Sequence, residues 1–213
     1  MYNLNETTIR IATITINVLI ILLELYVIKS IKRKKDIFNY YTFYQNLLLF
    51  LASINYLIFM NISLDIARGV RYVATTGAIT AALIYFTLLS NNQKNRIQKK
   101  DVNKNFNPKF INFLVHGLCP ALALLNTCYF EPKPYYNVSD IWTGIAALPS
   151  IIYAVYLIYF TVTKKWDEPY EFKSKNKFTE VLSIILIPTI LKIAIMRVWL
   201  LQIKILKSQL MRL

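Results

Sequence analysis

One histidine, two cysteines and four glycines in 213 residues exclude several kinds of chemistry at the outset. His116 alone cannot build a bis-histidine haem or a His-rich zinc site, and Cys119 and Cys128 cannot build a four-cysteine cluster. No metal and no other cofactor is expected. The two cysteines sit nine apart inside one apolar run, which argues against a disulfide framework. So few glycines leave no phosphate-cradling loop: neither G-x-G-x-x-G nor a Walker sequence occurs, and G-x-S-x-G is absent too. Acids are also scarce, 11 against 25 Lys and Arg, for a net charge of +14. In a soluble protein that balance points to nucleic acid, provided the cations cover a solvated face. Here they come in short blocks between long apolar runs, and 56% of the chain is hydrophobic. That is the layout of a membrane protein, with lipids rather than nucleic acid as partners.

A transmembrane helix needs about 20 mostly apolar residues. Six segments qualify: 8–28, 41–62, 72–90, 111–130, 141–163 and 181–201. The expected fold is all-α, one integral membrane domain over 1–213 built as a six-helix transmembrane bundle. No basic region precedes the first segment and a Lys/Arg block follows it, so it reads as a retained helix rather than a signal peptide. The loops after helices one, three and five hold 16 of the cations, among them Lys29, Lys32, Arg33, Lys94, Arg96, Lys164 and Lys165. The opposite side holds seven: Arg10, Arg68, Arg71, Lys133, Lys204, Lys207 and Arg212. The positive-inside rule then puts the three basic loops in the cytoplasm and both termini outside. Lys192 and Arg197 fall within the sixth segment, where they would snorkel or pair, and they leave a tilted or interfacial helix as an alternative.

Polar groups in a bilayer core tend to face the bundle interior or a cavity. Glu24 near the end of helix one, Thr42, Gln45 and Asn46 at the start of helix two, and His116 near the start of helix four all fall in the cytoplasmic leaflet. They can converge on one pocket. Thr42, Asn46, Leu49 and Ser53 follow one helical stripe with Gln45 beside it, and Asn17 and Glu24 share a face of helix one. The stripe Thr76, Thr80, Thr87 reads as hydroxyls bonding their own i−4 carbonyls. Gln45 and Asn46 can serve as helix–helix glue or as ligand contacts, and Glu24 can snorkel toward Lys29 or Lys32. His116 is the one imidazole and stands four residues before Pro120, whose missing N–H leaves the His116 carbonyl without its i+4 donor. Trp142, Trp166 and Trp199 read as interfacial anchors, and both cysteines as buried apolar fillers.

A threonine hydroxyl becomes a nucleophile when a base takes its proton, and histidine is the usual base near neutral pH. Thr42 and His116 can form such a pair where a lipid ester reaches the membrane surface. The amides of Gln45 and Asn46 would be donors to the oxyanion or contacts to the substrate, and Glu24 would orient the imidazole. Cys119, three residues from His116, is a second candidate acyl carrier.

The run Tyr40-Tyr41-Thr42-Phe43-Tyr44-Gln45-Asn46-Leu47 resembles the "Y-[FT]-T-x-Q-x-N-L" opening of helix two in bacterial relatives of the androgen-induced and androgen-dependent transmembrane proteins. Here the Gln stands one place nearer the Asn. His116-Gly117-Leu118-Cys119-Pro120 resembles their "H-x-x-x-P" in helix four. Weaker matches follow at Pro132-Lys133, Trp142, Pro149, Tyr153 and Pro169-Tyr170-Glu171-Phe172, so the resemblance runs from about Tyr40 to Phe172. The animal members hydrolyse fatty-acid esters of hydroxy fatty acids with a Thr nucleophile and a His. The resemblance therefore implies those roles for Thr42 and His116, a hydrophobic acyl substrate and residence in a bacterial cell membrane. Asn126 stands where the family pattern has an acid, ten residues after the His.

Three functions fit the residues. The first is a membrane-embedded hydrolase or acyl-transfer enzyme acting on a lipid ester. The second is a non-enzymatic membrane protein that binds a lipid or small molecule. The third is a proton-coupled transporter using Glu24 and His116, which lacks the repeats or broken midplane helices usual in that class.

Overall fold

The computed structural model describes residues 6–32, 40–90, 97–129, 141–163, 187–195 and 197. They form an all-α bundle. Helix α1 spans Glu6–Ser30, α2 Tyr41–Phe59 and α3 Leu64–Ile84, the last continuing into a π-helical turn at Tyr85–Leu89. Helix α4, Pro108–Phe113, passes through a second π turn at Leu114–Leu118 into α5, Cys119–Tyr129. Helix α6 covers Ile141–Val162, and 187–195 is helical.

The periodicity of the buried positions explains the packing. Thr13, Asn17, Ile20, Glu24 and Val27 are buried along α1 at steps of four and three, so one stripe meets the bundle. On α2 the stripe is Thr42, Gln45, Asn46, Leu49, Ser53 and Tyr56. Ile20, Leu49, Ala52, Ala74, Ala78, Cys119 and Ala123 make the core where α1, α2, α3 and α5 meet. Small side chains on α3 let the helices approach closely, the usual solution where burial against lipid drives nothing.

The pattern is inside-out relative to a water-soluble fold. Asn17, Glu24, Gln45, Arg71, Asn126 and Lys192 are buried, while Ile11, Leu22, Leu51, Ile58, Phe86 and Phe113 are exposed. Three helical stretches, Thr7–Ser30, Tyr41–Phe59 and Pro108–Cys128, are long and apolar enough to cross a membrane. A polar interior behind an apolar exterior marks an integral membrane protein.

Both ends of the bundle are tied. At one end Arg10 Nη2 donates to Asn61 Oδ1 at 2.6 Å, joining α1 to the α2–α3 turn. At the other, the last carbonyls of α1 need donors. Asn103 supplies two: its backbone N–H to Ser30 O at 2.8 Å and its Nδ2 to Lys29 O at 2.9 Å. A single bridge, Ile31 to Val102, adds to the same junction. Asn107 caps α4, accepting from the Lys109 N–H at 2.9 Å, with Pro108 in the first turn. The end of α1 and the start of α4 therefore lie at one level. Helix α6 runs antiparallel to α2: Tyr41, at the start of α2, meets Ser150 (Oη to Oγ 3.0 Å) and Tyr153, while Asn55, near the end of α2, shares a groove with Trp142 at the start of α6.

Several expected boundaries move. The third helix starts at Leu64, not 72, so Arg68 and Arg71 are buried within it instead of lying in a loop. Arg71 stacks over the Tyr56 ring at 3.9 Å, which repays part of the desolvation of its guanidinium. The fourth starts at Pro108, not 111, because the Asn107 cap adds a turn. The sixth is helical over 187–195 and at Arg197, which is exposed; 181–186, 196, 198–201, both chain termini, Trp166, Trp199, Pro132-Lys133 and Pro169–Phe172 lie outside the described residues. Cys128, expected to be a buried filler, is exposed, whereas Cys119 is buried.

Candidate active site

The two π turns lie at one level. Tyr85 opens the first and His116 occupies the middle of the second, and their rings stack with centroids 3.4 Å apart and 9° between planes. A π turn widens the helix by one residue and frees backbone groups, which is why such turns recur at functional sites. The cause here is readable in the chain. The Cys119 N–H bonds the Leu114 carbonyl, five residues back, and Pro120 has no N–H at all. The Val115 carbonyl thereby loses both its α partner and its π partner. The sequence pointed to the His116 carbonyl as the one left over; the register shift extends the deficit to Val115.

Asn46 supplies what is missing. Its Nδ2 donates to Val115 O at 3.1 Å and to Thr42 O at 2.9 Å. One amide thus ties the first turn of α2 to the residue preceding His116. Thr42 and His116 are both buried. They stand at the same end of the bundle, joined through Asn46. His116 Nδ1 is buried without a hydrogen-bond partner, so no Thr–His hydrogen bond runs through that nitrogen.

The other expected site residues divide. Glu24 does not snorkel to Lys29 or Lys32. It is buried and takes a hydrogen bond from the Cys119 thiol, one turn beyond His116. Its Oε1 has no partner, and it does not orient the imidazole through Nδ1. Asn46 is not a free oxyanion donor, since its Nδ2 is spent on the two carbonyls. Gln45 is buried and faces elsewhere, because neighbours on a helix diverge by about 100°. Its Oε1 accepts from Lys192 Nζ at 3.4 Å, and its Nε2 has no partner. Lys192 is wholly buried, so it pairs rather than snorkels. Gly77 makes room for that pair: a Cβ there would collide with the Gln45 amide and crowd the Lys192 side chain.

Thr76, Thr80 and Thr87 bond the carbonyls of Tyr72, Thr76 and Leu83, as expected of a structural stripe. Asn126 is buried, and neither polar atom of its side chain has a partner. Ten residues separate it from His116, about 15 Å of helix. Sequence reasoning missed Tyr85, whose only signal was an aromatic ring at the right depth of helix three. Among the described residues no group of three or more His, Cys, Asp or Glu could hold a metal ion.

Fold and site together define an all-helical membrane protein with a buried polar cluster at one end. No family profile matches the chain, and no curated protein or solved structure matches it.

Proposed function

We propose that this protein is a membrane-embedded hydrolase or acyl-transfer enzyme for lipid esters, with Thr42 as nucleophile and His116 as base. The observation that carries the reading is the Asn46 bridge. It holds the Thr42 turn against a distorted helix carrying the chain's one imidazole, and that imidazole keeps an unpaired nitrogen in a low-dielectric site. The resemblance of Tyr40–Leu47 and His116–Pro120 to the androgen-induced family supports the same two roles. Six membrane crossings with both termini outside are part of the proposal; they put the site at the cytoplasmic end.

In this reaction the Thr42 hydroxyl oxygen attacks the ester carbonyl carbon while the imidazole takes its proton. The imidazolium returns the proton to the departing alkoxide, and the alcohol leaves. Water, deprotonated by the same imidazole, then attacks the acyl-threonine carbonyl; the imidazolium returns that proton to the departing Thr42 oxygen and the acid is released; an acceptor alcohol in place of water gives transfer. Asn46 positions both partners and Tyr85 holds the imidazole plane.

Purified full-length protein should hydrolyse a long-chain acyl ester and be labelled by a fluorophosphonate probe. Thr42→Ala should abolish turnover and label, and His116→Ala should lower turnover by about 10²–10⁴, with melting temperatures unchanged. Full turnover in either folded variant would remove the proposal.

A further inference from the structure

The end of α1 and the start of α4 meet in a basic junction that the proposed reaction does not use. The segment 97–107 is fastened there from both sides. Asn103 holds the last α1 carbonyls, and the Lys32 N–H donates to Asp101 O at 2.9 Å. Ile97 and Asn112 exchange two hydrogen bonds, at 3.3 and 3.2 Å. Val102 is buried in one core with Val27, Ile31, Ile111 and Leu114. Around this folded segment Lys29, Lys32, Lys99, Lys100, Lys104 and Lys109 are all exposed. Across 28–32 and 97–113 the one acid is Asp101, and its Oδ2 already accepts the Gln98 N–H at 2.8 Å. The lysines are thus held together by backbone bonds, where a solvated loop would let like charges spread.

Exposed aromatic rings border the same lysines. The outer stripe of α1 reads Leu22, Leu25, Tyr26, Lys29, and that of α4 reads Phe113, Phe110, Lys109, every one exposed. Toward this end of the bundle both stripes pass from apolar or aromatic to cationic. They do so at one depth, because Tyr26 packs edge-on against Phe106 and Phe110 with centroids 5.1 and 6.0 Å away. Lys29 stands about one turn beyond Tyr26, roughly 4.5 Å of rise. That order marks the boundary between hydrocarbon and head groups. Trp142, expected to be an interfacial anchor, has no such place: its indole lies against Gly69, where any Cβ would collide with the ring.

We infer that this junction binds an anionic glycerophospholipid of the surrounding membrane, with its phosphate at Lys29 and Lys109 and its acyl chains along Leu22, Leu25 and Phe113. Lysine stems lie along apolar surface while their ammonium groups reach outward, so both helices can offer a cation to one head group. A soluble phosphate or polyanion would use the lysines and leave the aromatic and apolar surface beside them uncovered. A zwitterionic lipid brings a cation of its own toward the ammonium groups, and like charges oppose its seating. A neutral lipid leaves the lysines unbalanced. The surface is exposed, whereas Thr42 and His116 are buried, so the inference does not depend on the hydrolase reading.

The test uses the full-length protein in phosphatidylcholine nanodiscs. One probe is an ether-linked phosphatidylglycerol with a diazirine in one chain, which an esterase cannot consume; the other is a phosphatidylcholine built the same way. After irradiation and peptide mapping, label on 22–29 and 106–113 is divided by label on the exposed α6 face at Ile151, Ile152 and Val155. That ratio should be about tenfold higher for phosphatidylglycerol, since each surface lysine is worth about fivefold toward an anionic head group. Lys29→Gln with Lys109→Gln should erase most of that margin at an unchanged melting temperature. Lys164→Gln with Lys165→Gln, which removes the same charge from another basic loop, should keep it. Millimolar inorganic phosphate should not compete. Equal ratios for the two probes, equal losses in the two charge-matched pairs, or displacement by phosphate would each overturn the inference.

Discussion

Gly77 and Gly144 are both helical glycines, yet they answer to different neighbours. A methyl at Gly77 runs into the Gln45 amide and the Lys192 chain, while one at Gly144 meets nothing within 4 Å. Gly77→Ala must displace a buried, hydrogen-bonded pair whose lysine has no water to retreat to. It should cost about 1–3 kcal/mol, the usual range for overpacking an interior. Gly144→Ala should be neutral or stabilise by up to about 1 kcal/mol, since alanine loses less backbone freedom in a helix. Melting in one detergent under identical conditions should therefore separate the two variants in sign. Equal shifts would mean that Gly77 is not the notch that admits Lys192. Asn46 shows the same logic from the polar side, where a short amide serves two carbonyls that the helices cannot satisfy alone.

At the scale of the element, the π turn at Leu114–Leu118 follows from Pro120 and is completed by α2. Pro120→Ala restores an N–H and lets the helix relax toward α register. Asn46 would then lose its claim on the Val115 carbonyl, and His116 would rotate off the Tyr85 ring. The expected result is ester turnover lowered by at least tenfold, since misplacement by about 1 Å can cost about 10²-fold. Thermal stability should be unchanged or raised, because an interior proline is itself costly, up to about 3 kcal/mol. Turnover and melting measured on one preparation decide this. Loss of both together would show a folding defect instead.

For the whole molecule, orientation is the property with the widest consequences. Arg68 and Arg71 lie in the first two turns of α3 and not in a loop, so the proposed orientation rests on the weight of the basic loops and is open to direct test. With Cys128, the exposed native thiol, replaced by Ser, single cysteines at Asn61 and Asn103 should report opposite sides. An impermeant maleimide applied to intact cells should label Asn61→Cys and spare Asn103→Cys until the membrane is opened. The reverse pattern would put the candidate active site at the outer surface.

Much of the bundle was legible in the chain. The apolar runs located the helices at 6–30, 41–59 and 141–162 to within a few residues, because length and hydropathy are local properties that the bilayer reads directly. The stripe Thr42, Asn46, Leu49, Ser53 and the shared face of Asn17 and Glu24 followed from 3.6 residues per turn. Pro120 announced a backbone deficit beside His116. Tertiary structure decided the partners. It gave Asn46 to the Val115 carbonyl, Gln45 to Lys192, Glu24 to Cys119, and Tyr85 to His116, pairs separated by 31 to 147 positions. No local rule selects such pairs, since every buried polar group in a membrane seeks a partner and packing determines which one is in reach. The sequence alone thus determined that polar groups would gather inside an apolar bundle, with Glu24, Thr42, Gln45, Asn46 and His116 toward one end of it. Only the packing of α2 against α3, the π turn and the lysine of the 187–195 helix decided how each is spent, because that depends on a rotation of about 100° between adjacent helical residues.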